Sequence, residues 1–168
     1  VQYGSVTQVP IDGVCMKSVL LSLPVLAMSA SVALADLKSQ VLSPWDGKKV
    51  PAGQECVLHG GKGSTPPFQA TGIPAGAVWL IVEYNDKSFK PLSRNGGHGT
   101  IGYAVNGTSA KLPAVPGMTA QMPKGVQVIA AAKSTGDYAS PGYLPPCSGG
   151  RGNSYEAVGK AVDASGKV

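Results

Sequence analysis

The apolar positions of the chain form short runs and follow no long helical period. The strongest run, residues 77–84, is nearly all apolar and rich in β-forming side chains, which predicts a centrally buried strand. Four further runs predict strands at residues 55–58, 100–105, 125–132 and 155–162. The pattern therefore predicts a mostly β, sandwich-like fold with little helix.

Two long connections rich in glycine and proline interrupt these runs. Residues 113–123 contain three prolines, and residues 134–154 contain five glycines and three prolines. The second loop is about 20 residues long, and loops of that length are uncommon in compact domains and are often functional. The sequence shows no internal repeat and no sign of a second domain.

Residues 16–35 have the pattern of a secretory signal peptide. Lys17 precedes an apolar stretch, and Ala33-Leu34-Ala35 supplies the small residues that signal peptidase accepts, which predicts cleavage before Asp36. A membrane-spanning helix is the alternative, but the apolar stretch is shorter than the roughly 20 residues that a bilayer requires.

The signal peptide divides the chain into three parts. Residues 1–15 are expected to be an upstream extension that is not native, and residues 36–168 to form a single exported domain. The residue directly after the predicted cleavage site is Asp36 and not the cysteine that a lipoprotein anchor requires, so we expect no stable membrane anchor after cleavage. A periplasmic or secreted location follows.

Composition and charge exclude some fold classes and some kinds of partner. Glycine and proline account for 23 and 14 of the 168 residues, and only 14% of residues are charged, which argues against a coiled coil or a helical bundle. The net charge is +5, which favours anionic ligands or surfaces. The basic residues are dispersed along the sequence and form no cluster, so nucleic acid is not an expected partner.

Two cysteines, Cys56 and Cys147, lie in the predicted exported domain. In an oxidising compartment they are expected to form a disulfide. The alternative is a nucleophilic cysteine working with His59 or His98, but no local signature supports it. The two cysteines and two distant histidines also lack the spacing of a zinc site, so no metal is expected.

Several segments, in their order along the chain, resemble the phosphatidylethanolamine-binding proteins, in their bacterial Raf-kinase-inhibitor-like branch. The run GKKVP at 47–51 and then Cys56 are followed by GSTPPF at 63–68 and GIPAG at 72–76, which is similar to the family's "IP…C…G…SPPLSW…VPAG" opening. The resemblance covers about residues 47–163 and implies the β-sandwich-like fold of that family.

Three further segments continue the resemblance. Residues 96–103, GGHGTIGY, resemble the family's His-Trp motif, and residues 142–147, GYLPPC, resemble its "GYGGPCPP" loop. Residues 153–163 keep the register of "HRYxFxxYALD". The chain departs from the family where Asp-Pro-Asp becomes Tyr84-Asn85-Asp86 and where Asn153 replaces a histidine.

The resemblance implies a small anion-binding pocket. Carried over residue by residue, its candidate residues are Asp86, His98, Tyr143 and Tyr155, with Pro146 as a wall. Tyrosine hydroxyls, an imidazole N–H and loop amides can donate to an anion oxygen. Asp86 is expected to orient His98 or to favour its charged form.

No motif for catalysis is present, because the sequence has no G-x-S-x-G, no H-E-x-x-H and no paired carboxylates near a histidine. We therefore expect a non-enzymatic exported binding protein without a cofactor. Its expected partners are a small anion or a phospholipid head group, and it could inhibit or modulate a protein partner. The alternative is a small exported β-sandwich with a structural or surface-interaction role and no small-molecule pocket.

Overall fold

A computed structural model describes residues 36–168, so the expectations for residues 1–15 and 16–35 lie outside the described residues. The described chain contains seven strands, three 3₁₀ turns and no α-helix. None of its helical segments is long and apolar enough to cross a membrane. The strands are β1 Lys38–Val41, β2 Phe68–Thr71, β3 Ala77–Asp86, β4 Thr100–Ala104, β5 Ser109–Leu112, β6 Val126–Ala130 and β7 Tyr155–Asp163; the turns are Val57–His59, Lys90–Leu92 and Gly136–Tyr138.

The strands form two antiparallel sheets. The smaller sheet has the order β1-β2-β5, and the larger has the order β6-β4-β3-β7. The longest ladder joins β3 to β7, from the Ala77–Asp163 pair to the Asp86–Tyr155 pair. This arrangement confirms the mostly β, sandwich-like fold class at the level of its two sheets.

The hydrophobic core contains side chains from both sheets. Phe68 and Leu112 from the smaller sheet belong to one buried cluster with Leu80, Val82 and Ile101 from the larger sheet. A cavity of only about 20 Å³ lies among residues of the two sheets. Burial of these apolar side chains is the main favourable contribution to folding.

Strand β3 is central in its sheet but is buried on one face only. Leu80, Val82 and Tyr84 point into the core, whereas Ile81 and Glu83 on the opposite face are half-buried. Alternating burial of this kind is typical of an antiparallel sheet that packs one face on the core. The sequence predicted a centrally buried strand, and β3 is central in the larger sheet with no exposed residue.

The core also contains a chain of hydrogen-bonded hydroxyls. The Tyr103 hydroxyl lies 3.1 Å from the Tyr84 hydroxyl and 3.2 Å from Thr65 Oγ1, which in turn accepts the Val115 N–H at 3.0 Å. Burial raises the pKa of both tyrosines, and that of Tyr84 lies well above its usual value. Each of these hydroxyls therefore remains neutral and has a partner.

Some local predictions need correction. Residues 55–58 were expected to form a strand, but Val57–His59 is a 3₁₀ turn closed by Gly60, which has a φ of 85°. The predicted strands at 77–84, 100–105, 125–132 and 155–162 are confirmed as β3, β4, β6 and β7. Strands β1, β2 and β5 were not predicted, because each has four residues and a mixed apolar and polar pattern.

Candidate ligand-binding cleft

A cleft of about 620 Å³ lies between two loop regions, residues 48–59 and 146–155. Pro146 and Tyr155, two of the site residues expected from the sequence, line it. Lys48, Lys49 and Glu55 line it as well, so two cationic side chains face one acidic side chain. The cleft is large enough for a small ligand.

A disulfide between Cys56 and Cys147 joins the two walls, and this confirms the predicted pairing. The Cα atoms lie 5.2 Å apart, and the Cys56 N–H donates to the Pro146 carbonyl at 2.9 Å. The bond closes a loop over a sequence separation of 91 residues. It therefore holds the Cys56 turn against the loop that contains Pro146.

The two lysines project from a tight turn that Asp46 organises. Asp46 Oδ1 accepts the backbone N–H of Lys48 at 2.8 Å and that of Lys49 at 3.0 Å. These donations, first from Lys49 and then from Lys48, lower the pKa of the Asp46 carboxyl. The turn therefore places adjacent exposed lysines at the cleft.

Tyr155 is the first residue of β7 and is only 6% exposed. Its hydroxyl makes no hydrogen bond of acceptable geometry, and among the described side chains it is the one buried polar atom without a partner. The Ser148 hydroxyl and the amides of Cys147 and Ser148 are close enough to influence its pKa, which burial raises and these donors partly lower. The nearest groups are one hydroxyl and two backbone N–H groups, and the Asp86 carboxylate acts in the opposite direction by raising the pKa further.

His98 is buried because three glycines let the chain pass closely around it. A Cβ at Gly97 would collide with the Leu92 backbone, and Gly99 has a φ of 104°, which a side chain rarely adopts. The His98 N–H donates to the Tyr84 carbonyl at 2.8 Å, and the His98 carbonyl accepts from Leu144 at 2.8 Å. The glycine cluster therefore inserts the histidine between the end of β3 and the loop after β6.

Asp86 and His98 form a buried pair beneath the cleft. Asp86 Oδ2 lies 3.9 Å from His98 Nε2, which is an ion-pair distance only when the histidine is protonated. Asp86 Oδ2 accepts from Asn153 Nδ2 at 2.7 Å, and Asp86 Oδ1 accepts the Ser88 N–H at 2.9 Å. Asn153 also lines the cleft, so it connects the pair to the cleft wall.

The histidine of this pair is neutral near neutral pH. Burial lowers the pKa of His98 and outweighs the Leu144 carbonyl and the Asp86 carboxylate, which act in the opposite direction. The neutral ring donates from Nδ1 to the Leu144 carbonyl at 2.8 Å, which leaves Nε2 as an acceptor facing Asp86. The Asp86 carboxylate does favour the charged form of His98, as the sequence predicts, but the effect of burial on the pKa is larger.

The structure brings together four of the five expected residues. The rings of His98 and Tyr155 meet edge to face with centroids 5.4 Å apart, next to Asp86, and Pro146 lines the same cleft as Tyr155. Tyr143 lies elsewhere, in the hydrophobic core, with its ring centroid 4.8 Å from that of Tyr84.

Other residues of the cleft were not predicted as site residues. Ser148 places its donors beside Tyr155, and Lys48 and Lys49 add positive charge. Lys48 and Lys49 lie in a segment that carries the family resemblance, so that signal was available in the sequence. The contribution of Ser148 depends on the loop conformation, and no sequence pattern marked it.

No family model, no curated protein and no solved structure matches this chain.

Proposed function

We propose that the protein is a non-enzymatic binding protein whose cleft takes a small anion with a phosphate or carboxylate group. The observation that carries this proposal is the Tyr155 hydroxyl, which is buried at the cleft without a hydrogen-bond partner among the described residues and lies beside the Ser148 hydroxyl and two backbone N–H groups. A buried polar group without a partner costs about 1–3 kcal/mol, and such a group in a native structure calls for an explanation. An anion oxygen would supply the acceptor that this hydroxyl lacks.

The donor set suits an oxyanion. The Tyr155 and Ser148 hydroxyls and the amides of Cys147 and Ser148 can each donate one hydrogen bond, and several such donors can share one phosphate group. Hydrogen bonds to a charged acceptor are about twice as strong as neutral ones. A movement of Ser148 and the glycines after it would bring the buried hydroxyl into contact with a ligand in the cleft.

The lysines provide longer-range attraction. Lys48 and Lys49 line the cleft with Glu55, and the chain has a net charge of +5. Exposed charges contribute less to affinity than buried donors do, but they raise the local concentration of anions. In this proposal the lysines attract the ligand and the Tyr155 region holds it.

The buried pair supports the site from below. Asn153 hydrogen-bonds to Asp86, and the His98 ring packs on Tyr155, so the pair fixes two residues that line the cleft. Asp86 and His98 are themselves buried and do not line it. We therefore assign them a positioning role and not direct contact with the ligand.

This arrangement supports assigning the chain to a divergent form of the phosphatidylethanolamine-binding proteins that it resembles, with a degenerate pocket. Under this assignment the ligand is a phosphate, free or in a phospholipid head group, and the cleft rim can act on a protein partner. The Cys56–Cys147 disulfide supports an exported, periplasmic or secreted location, because such bonds persist in oxidising compartments.

The test is calorimetric titration of the oxidised protein with inorganic phosphate and with phosphoethanolamine. Tyr155→Phe removes one donor to a charged group, worth about 1.5–3 kcal/mol, so we expect affinity to fall about 10- to 100-fold. Lys49→Ala should cost only about two- to fivefold, because its charge is exposed. Tighter binding of phosphoethanolamine than of phosphate would identify a head group as the ligand class.

Two matched variants serve as controls. Tyr138→Phe changes an exposed tyrosine and Lys124→Ala an exposed lysine, and neither residue lines the cleft. Both should bind like the parent protein. Equal affinity of Tyr155→Phe and Tyr138→Phe would contradict the proposal and favour a sandwich with a structural role and no small-molecule pocket.

A further inference from the structure

Three metal-binding side chains meet at the wall of the cleft. The sulfurs of Cys56 and Cys147 and a ring nitrogen of His59 all lie within 4.8 Å of one another. The anion site described above uses none of these three side chains. His59 is exposed and lines the cleft.

The local fold brings these groups together. Cys56 precedes the Val57–His59 turn, and its carbonyl accepts the His59 N–H at 3.0 Å. Side chains three residues apart in a 3₁₀ turn lie on the same side, which places His59 beside Cys56. The third group comes from the opposite wall, so no local spacing in the sequence could indicate it.

A glycine leaves room for the imidazole. Gly149 has a φ of 61°, and a Cβ at this position would lie 3.1 Å from His59 Cε1 and 3.3 Å from Nε2. The His59 ring therefore packs directly over the backbone of the loop that follows Cys147. This contact keeps the ring close to the sulfurs despite its exposure.

We propose that the reduced form of the protein binds one zinc ion through Cys56, Cys147 and His59. Zinc favours tetrahedral sites with Zn–S distances of about 2.3 Å and Zn–N distances of about 2.0–2.1 Å, which set ligand separations of about 3.8 Å between sulfurs and 3.6 Å from sulfur to nitrogen. Rotation about the Cα–Cβ bonds separates the sulfurs after reduction, and the imidazole needs a shift on the order of 1 Å. The fourth position remains open to water or an anion.

The charge balance of this site is favourable. Two thiolates neutralise the Zn²⁺ ion, so the lysines of the cleft do not oppose the complex. Those lysines also favour the thiolate form, which is the form that binds metal. The disulfide and zinc states exclude each other, because both use the same two sulfur atoms.

Zinc binding follows a balanced reduction. In a cell a dithiol supplies two electrons and two protons to the disulfide, giving two thiols, and is itself oxidised to a disulfide. In the experiment a phosphine reduces the disulfide to two thiols, and the phosphine takes oxygen from water to become a phosphine oxide. Zn²⁺ then displaces two thiol protons into solution.

Cobalt(II) titration of the phosphine-reduced protein tests the proposal. Every variant carries Cys15→Ser in the full chain, so that Cys56 and Cys147 are the two remaining cysteines. We expect one Co²⁺ per chain, with thiolate charge-transfer absorption and the visible bands of tetrahedral cobalt, displaced by Zn²⁺. Mutation of a residue that hydrogen-bonds to a metal ligand typically lowers metal affinity at least about tenfold. Removal of a ligand itself should lower it at least as much, so His59→Ala should weaken Zn²⁺ binding at least about tenfold.

Lys62→Ala is the matched control, because Lys62 is exposed in the same loop and is not one of the three ligands. It should behave like the parent protein. The oxidised protein and the Cys56→Ser/Cys147→Ser variant should give no tetrahedral cobalt spectrum. Such a spectrum in either of them, or equal Zn²⁺ affinity of His59→Ala and Lys62→Ala, would overturn the proposal.

A second set of measurements tests the proposal even if the protein loses structure when it is reduced. Zinc should slow reformation of the disulfide on exposure to oxidant, as measured by counting free thiols with time, and His59→Ala should reduce this protection. If reduction abolishes the near-ultraviolet circular dichroism signal, zinc should restore it in the parent protein. Unchanged reoxidation with zinc, or a lost signal that zinc does not restore, would also overturn the proposal.

Discussion

The core and the cleft both contain buried tyrosine hydroxyls, but only those in the core have hydrogen-bond partners. In the core, the Tyr103 hydroxyl has two partners, the Tyr84 hydroxyl and Thr65 Oγ1. At the cleft, the Tyr155 hydroxyl is buried but has none among the described residues. The core hydroxyls therefore have their hydrogen-bond partners, whereas the Tyr155 hydroxyl at the cleft lacks one. This difference is the physical basis for our proposal that the cleft binds a ligand.

The two regions are also held together differently. Apolar side chains from both sheets pack in the core, and a 91-residue separation is closed by the disulfide at the cleft. The Cys56 turn and the loop at Cys147 contribute only one small buried cluster, with Leu92 and Leu144. Covalent closure therefore compensates for limited packing beside the cleft.

The largest expected effect comes from removing that closure. Cys56→Ser/Cys147→Ser should lower the free energy of unfolding by about 4–5 kcal/mol, because the unfolded chain regains the entropy of an open loop. Urea unfolding of the oxidised parent and of the variant measures the difference. A loss under about 1 kcal/mol would show that other contacts hold the cleft walls, and the contrast with the core would disappear.

The next effect tests the core side of the comparison. Tyr103→Phe removes a hydroxyl that serves both Tyr84 and Thr65, so it should lower the free energy of unfolding by about 1–3 kcal/mol. Phosphate affinity should remain unchanged, because Tyr103 does not line the cleft. Urea unfolding and calorimetric titration check the two statements. A variant of unchanged stability would show that these buried hydrogen bonds contribute no net stability.

A smaller, pH-dependent effect concerns the pair beneath the cleft. Burial lowers the folded-state pKa of His98 below its unfolded value near 6.5, so the unfolded chain binds the proton more readily. The contribution of His98 to stability is complete above that value and is lost as the pH falls through it towards the folded pKa. The Asp86 carboxylate limits the loss, because it favours the protonated ring.

His98→Gln isolates this contribution, because glutamine does not titrate. Urea unfolding between about pH 7.5 and pH 5 should show a shallower loss of stability in the variant than in the parent protein. Equal pH slopes in the two proteins would show that other groups control acid sensitivity. Phosphate binding at neutral pH would then report separately on the positioning role of His98.

The sequence predicted the parts of the fold that are encoded locally. Long apolar runs marked β3, β4, β6 and β7, whereas the four residues of β1, β2 or β5 become a strand only through partners distant in sequence. The run at 55–58 resembled a strand, but Gly60 closes it into a turn. The apolar pattern identified a strand only where the run was long.

The candidate site was predictable in part for a similar reason. The cysteine pairing followed from cysteine count and expected compartment, and the residues near Asp86 followed from a family resemblance. Tyr143 adjoins the site residues in sequence, yet its side chain faces the core. The Tyr155 hydroxyl lacks a hydrogen-bond partner because of the conformation of the loop that contains Ser148. The groups around this hydroxyl come together only in the folded chain, so the sequence could not indicate them.

The most direct test of the central claim pairs Tyr155→Phe with Tyr103→Phe, without ligand and with phosphate. Removing an unpaired buried hydroxyl should raise the free energy of unfolding of Tyr155→Phe by about 1 kcal/mol and weaken phosphate binding, whereas Tyr103→Phe should lose stability and bind normally. Opposite signs of the two stability changes are the predicted result. If Tyr155→Phe is destabilised and binds phosphate as the parent does, the Tyr155 hydroxyl serves the fold and the account is wrong.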